Sequence, residues 1–160
     1  MFVTNNVRIY KNSIECPDIP TTIVTWNIKG VGLKQVVSNL LIINADIVHL
    51  QGVYSNKSEL IESLGRCYHN IITNDHKQYY MYYDCGLLVF SKCPITNSIF
   101  MPYGYWRSYI YSGYLFYSIG DLNFCNCCMD SDNIENNLTK LQIIMKKNPY
   151  NDNFILAGYI

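Results

Sequence analysis

The sequence predicts a mixed α/β layered domain, and three observations carry that expectation. Short runs rich in β-branched and aromatic residues end at Gly, Pro or Asn, as buried strands do. Two segments of helical periodicity lie between the first such runs. A β-rich middle is then followed by one more helical segment and a last apolar run, an alternation that suits helices layered on a sheet.

The elements follow in order. Residues 1–20 are polar, end in Pro17 and Pro20, and read as a leader or edge segment, leaving 21–160 as the domain. Thr21 to Ile28 reads as a strand stopped by Lys29-Gly30. Leu33 to Ile43 has apolar residues at helical spacing and ends at Asn44. Ile47 to Tyr54 is a second strand. Ser55 or Asn56 is placed to cap a helix that runs through Leu64 and closes at Gly65. Arg66 to Thr73 is a weaker strand, and Gly86 to Phe90 a strong one ended by Cys93-Pro94. Residues 98–124 hold two or three strands. Asn133 to Lys147 is an amphipathic helix and Phe154 to Ala157 a final strand.

Composition narrows the function classes. The chain has 160 residues, enough to bury a core, with 49% hydrophobic and 15% charged residues, which excludes a disordered chain. Twelve basic residues balance twelve acidic ones, so no overall electrostatic footprint for nucleic acid exists. Seven cysteines at irregular spacing give no disulfide framework. The N-terminus lacks a secretory pattern, and no window is long and apolar enough to span a membrane. A reducing intracellular, cytoplasmic setting with free thiols is therefore expected. Fifteen tyrosines, with many Asn and Ile, fit an AT-rich genome; in a virus the setting would be the host cytoplasm.

Four segments carry a resemblance. Ile23-Val24-Thr25-Trp26-Asn27, Ala45-Asp46-Ile47-Val48-His49-Leu50-Gln51, Gly86-Leu87-Leu88-Val89-Phe90-Ser91-Lys92-Cys93-Pro94-Ile95 and Asn153-Phe154-Ile155-Leu156-Ala157-Gly158 stand in the order of the signature blocks of the endonuclease/exonuclease/phosphatase (DNase-I-like) superfamily. Asn126-Cys127-Cys128-Met129-Asp130-Ser131 sits where that family has N-T-H-L. The chain resembles the N-terminal portion of the family domain, with a slight lean toward the neutral-sphingomyelinase-like branch. The resemblance implies a truncated α/β sandwich with helices on the outer face of a mixed sheet. Family domains run to roughly 200–250 residues. A chain of this length is thus expected to lack much of the second layer, exposing an apolar sheet face through which it would form homo-oligomers or bind a protein partner.

The family's chemistry is metal-assisted phosphoester hydrolysis, usually with magnesium. The resemblance places Asn27 and Gln51 at family site positions. Gly52 stands where the metal-binding Glu belongs, Cys128 where the family has His, and Tyr159 where it has the Asp of G-D-x-N. A hard cation needs carboxylate oxygens, and these substitutions remove them. The expectation is a catalytically inactive homologue with no resident cofactor, holding Asn27 and Gln51 as vestiges. Two alternatives stand beside it: an active magnesium-dependent phosphodiesterase or nuclease completed by a second chain, and a tyrosine-rich binding module sharing only the fold.

Residues outside these blocks have plainer readings. His49 lies within an apolar strand and is expected to be a hydrogen-bonded core histidine, while His69 and His76 are expected at the surface. Cys125, Cys127 and Cys128 lack a paired C-x-x-C partner. On a strand, Cys127 and Cys128 would point to opposite faces, which argues against a zinc site. The Tyr79–Tyr83 run and the Tyr103–Tyr117 series have too few interleaved basic residues for base stacking and read as exposed-edge or interface tyrosines.

Overall fold

The computed structural model describes residues 7–11, 20–74, 83–84, 86–102, 110–111, 113–128 and 154–159, with single helical positions between 135 and 146. The elements in chain order are β1 (Val7–Lys11), β2 (Ile23–Asn27), α1 (Leu33–Ile43), β3 (Ile47–Gln51), α2 (Lys57–Leu64), β4 (Asn70–Asn74), β5 (Tyr83–Asp84), β6 (Leu88–Ser91), β7 (Thr96–Pro102), β8 (Ile110–Tyr111), β9 (Gly113–Ile119), β10 (Leu122–Cys128) and β11 (Phe154–Tyr159). Five strands form one mixed sheet in the order β1-β4-β6-β3-β2, four form a second in the order β11-β10-β9-β7, and β5 pairs with β8.

Helix α1 occupies the span its periodicity predicts, and the left-handed Asn44 ends it with an N–H to Leu40 O bond of 2.9 Å. Helix α2 differs in one detail. Asn56 holds the N-cap position without donating or accepting a side-chain cap bond; its side chain instead accepts the Ser55 hydroxyl at 3.1 Å. The segment before Pro17 contains β1, an edge strand antiparallel to β4. Of the expected Asn133–Lys147 helix, the described residues 135, 138, 139, 141, 142 and 146 are helical.

Strand alternation sorts the side chains into three layers. Val48, Leu50, Leu88 and Phe90 face the helices and pack against Val36 and Leu40 of α1 and Leu60 and Leu64 of α2. Ile47, Ile72 and Val89 point the other way, into a core shared with Leu115, Tyr117 and Phe124 of the second sheet. Beyond that sheet, Tyr114, Phe116, Cys125 and Cys127 pack with Leu141. The expectation of an uncovered apolar face is therefore wrong for this sheet: β3 and β6 are buried throughout, because the chain's own β7, β9, β10 and β11 supply the opposing layer. Two more expectations change. Tyr114 and Tyr117 are core residues, not surface ones. Cys93 is disulfide-bonded, whereas Cys67, Cys125, Cys127 and Cys128 stand outside any disulfide. His69 is exposed as expected, while His76 and Tyr79 to Tyr82 lie outside the described residues. No helix among the described residues is long and apolar enough to cross a membrane.

Asp46 ties three sequence blocks together. Its carboxylate accepts the backbone N–H groups of Thr21 and Thr22 at 3.0 and 3.1 Å and their hydroxyls at 3.1 and 2.9 Å, and Lys92 Nζ lies at 3.3 Å. Those contacts, the Thr21 N–H above all, hold the carboxyl well below the usual range. They fix the start of β2 beside the start of β3 and set the parallel register that runs from Ile23–Ile47 to Asn27–Gln51.

Candidate functional site

The C-terminal ends of four strands hold the residues singled out from the sequence. Asn27 ends β2 and is in register with Gln51, which ends β3. In the facing sheet, Cys128 on β10 is in register with Tyr159 on β11. Asn126 of β10 joins the two sheets here: its Oδ1 accepts from Gln51 Nε2 at 2.7 Å. All five predicted positions thus lie on strand ends that two facing sheets bring to one region, although they are spread over more than 130 residues of sequence.

The polar groups in this region are largely committed to one another. Gln51 Nε2 also donates to Thr25 Oγ1 at 3.1 Å, and Asn126 Nδ2 donates to the carbonyls of Leu50 and Leu88 at 3.2 and 3.3 Å. Gln51 and Asn126 are buried. Asn27 Oδ1 accepts the Lys29 N–H at 3.1 Å, which makes Asn27 the stopper of its own strand. Asn126 was named only as the first residue of the block resembling N-T-H-L and was given no role. Beside that block, its signal is that of an uncharged polar residue between buried positions of a strand, a pattern that demands a buried hydrogen-bond partner.

Gly52 follows Gln51 with φ +71°, in the left-handed region that L side chains rarely adopt. A Cβ there would lie 2.9 Å from Asn27 Oδ1 and 3.2 Å from Lys29 Cβ. An L side chain of any kind at this position would therefore be strained and crowded. A Cβ at Gly158 would collide with the Cys127 backbone across the β10–β11 pair.

Around this region the titratable groups are tuned toward neutrality. His49 is fully buried; its Nε2 meets the Tyr117 hydroxyl at 2.5 Å and its Nδ1 lies 3.4 Å from the Ala157 carbonyl. Burial lowers its pKa to about 4, against the opposing pull of the Ala157 carbonyl, so the imidazole is neutral at physiological pH. Burial also raises the Tyr117 hydroxyl and the Cys125 thiol and pushes Cys127 up to about 12. Cys125 and Cys127 face the outer layer, and half-buried Cys128 packs toward the inter-sheet core, so the strand pleat separates the thiols. Among the described residues, no group of three His, Cys, Asp or Glu side chains is arranged to hold a metal. The described side-chain donors of the five positions, the amides of Asn27 and Gln51 and the thiol of Cys128, are not the carboxylates that a hard cation such as magnesium prefers.

Two face-to-face mixed sheets, two helices against one of them, and the T-W-N, A-D-I-V and G-L-L-V blocks on adjoining strands define the endonuclease/exonuclease/phosphatase (DNase-I-like) fold. Solved structures bear this out. TDP2 from D. rerio, crystallised with a single-strand DNA product, superimposes with a TM-score of 0.62 at 16% identity, covering 88% of this chain and 60% of that one. SmcL gives 0.63 at 14% identity, covering 87% and 62%. An endonuclease/exonuclease/phosphatase family protein from Leptotrichia buccalis C-1013-b gives 0.55 at 17% identity, covering 86% and 65%. The chain thus spans less than two thirds of the length of these neighbours. No family model and no curated protein matches the sequence.

Proposed function

We propose that this chain is a non-catalytic relative of metal-dependent phosphodiesterases, a pseudoenzyme that acts by binding a protein partner. The observation that carries the reading is Gly52. Where the family places a metal-binding carboxylate, this chain has a left-handed glycine packed against Asn27, and the neighbouring amides of Gln51 and Asn126 are bonded to each other. A pre-formed hydrolytic site would instead leave its donors and acceptors aimed at the place a ligand occupies. Support also comes from the absence of any carboxylate among Asn27, Gln51, Gly52, Cys128 and Tyr159.

The test is direct. Purified protein is incubated with plasmid DNA, abasic-site DNA, sphingomyelin and a generic phosphodiester in excess magnesium, and no turnover above a buffer control is expected. Turnover that disappears in Asn27→Ala would overturn the reading and favour an enzyme of the phosphoric ester hydrolase class.

A further inference from the structure

We propose that His49 is an acid-sensitive latch between the two sheets: neutral, it ties β3 to β9 and β11, and protonated, it parts the sheets while their strands stay paired. His49 is neither a vestigial nor a substituted family position, so the latch is independent of whether the chain is catalytic.

The inner face of β3 carries Ile47, His49 and Gln51, and the two polar side chains reach across the sandwich. The His49 ring uses both nitrogens: Nε2 meets the Tyr117 hydroxyl of β9 at 2.5 Å, and Nδ1 lies 3.4 Å from the Ala157 carbonyl of β11. These partners assign the protons. A carbonyl oxygen only accepts, so Nδ1 carries the N–H and Nε2 accepts the Tyr117 O–H. Tyr117 is held in place, because its ring stacks on Phe124 with centroids 5.3 Å apart and planes 15° from parallel.

A second proton has no place in this arrangement. On Nε2 it makes the ring a donor at both ends and turns the Tyr117 hydroxyl into an acceptor, whose own proton then has no acceptor among the described residues. The charge is no better met. Strands β2, β6, β9, β10 and β11 pack around β3, and none of the six contains Asp, Glu, Lys or Arg. Among the described side chains, the titratable groups they turn toward the inter-sheet core are Tyr117 and half-buried Cys128, and a phenol and a thiol supply no negative charge in acid. Burial, opposed by the Ala157 carbonyl, accordingly lowers the His49 pKa from 6.5 to about 4 in the packed state. The packed state keeps its full advantage above pH 6.5 and loses it as pH falls to 4, tenfold per unit and roughly 300-fold in all.

Protonation strikes contacts between the sheets and not the ladders within them, which are built from backbone groups. Asp46 secures the β2–β3 register throughout, since its contacts, the Thr21 N–H first, keep its carboxyl ionised well below this window. The acid form is therefore a pair of intact sheets whose shared core of Ile47, Val89, Leu115 and Phe124 is open to water.

Circular dichroism and the fluorescence of a hydrophobic dye, followed on the purified full chain from about pH 7 to about pH 3.5, read the outcome. The near-ultraviolet tyrosine signal is expected to fall and dye fluorescence to rise, while the far-ultraviolet strand signal stays. His49→Gln, whose amide takes up no proton, is expected to abolish the change, and His69→Gln, at the surface, to leave it intact. Nitrogen chemical shifts of the His49 ring need no variant: they are expected to show the Nδ1–H tautomer at neutral pH, and protonation that coincides with the near-ultraviolet loss. An Nε2–H tautomer overturns the proposal, and so does protonation of His49 with the near-ultraviolet signal intact. Far- and near-ultraviolet signals that vanish together, or the same acid transition in His49→Gln, overturn it as well.

Discussion

Replacing Gly52 by alanine tests the left-handed backbone after β3 on which the proposed non-catalytic reading rests. A non-glycine residue held at φ +71° costs about 1–2 kcal/mol. The new Cβ, 2.9 Å from Asn27 Oδ1, displaces that side chain and strains or breaks its bond from the Lys29 N–H, a further ~1 kcal/mol. Loss of glycine's freedom in the unfolded chain returns about 0.4–1 kcal/mol. The net expectation is a destabilisation of about 2 kcal/mol, which in a domain of this size lowers the melting temperature by roughly 4–8 °C. Denaturant unfolding and thermal melts followed by circular dichroism measure it. In an Asn27→Ala background the clash partner is gone, so the same Gly52→Ala change should cost about 1 kcal/mol less, a coupling that a double-mutant cycle resolves. Gly52→Glu inherits the same backbone penalty, and millimolar magnesium should not raise its melting temperature. A Gly52→Ala protein as stable as the parent would refute the backbone argument. So would a Gly52→Glu protein that magnesium stabilises by the ~2.7 kcal/mol expected at a hundredfold excess over its dissociation constant.

Two further outcomes follow from buried polar groups. His49 is neutral in the fold and has its pKa lowered from 6.5 to about 4, so the unfolded chain binds the extra proton first as pH falls. Stability is then complete above about pH 6.5 and declines through pH 4 by roughly 3 kcal/mol. Urea unfolding across that window should show the slope, and His49→Gln should flatten it; an unchanged slope would assign the effect elsewhere. Tyr68 is buried against Phe90, and its hydroxyl finds no hydrogen-bond partner among the described residues. Tyr68→Phe should therefore be neutral or stabilise by up to about 1 kcal/mol, and a loss beyond 1 kcal/mol in chemical denaturation would show that the hydroxyl is bonded.

Much of the local architecture was readable from the chain, because its signals act over a few residues. Helix α1 ends at Asn44, where the periodicity stops and a residue tolerant of the left-handed region follows. Strands β2, β3, β6 and β11 coincide with the apolar runs, and their order carried the family resemblance. Even the burial of His49 followed from its place inside an apolar run. The resemblance also pointed to Asn27, Gln51, Gly52, Cys128 and Tyr159, since each is one residue in a recognisable block.

What the sequence left open depends on contacts between distant segments. Residues 98–124 alternate too poorly to reveal a second layer, because β9 is buried on both faces and shows no polar period. That layer covers the face predicted to be open, and it turns Tyr114 and Tyr117 from surface candidates into core. Nor could composition foresee that Gln51 would be held by Asn126, some 75 residues away, since hydrogen-bond satisfaction is settled only once two sheets stack. Gly52 illustrates the division most clearly. The resemblance implies that Gly52 stands at a family carboxylate position; only the folded chain shows that the backbone there is left-handed and packed beside Asn27, because a dihedral angle is selected by the packing around it and not by the residue alone.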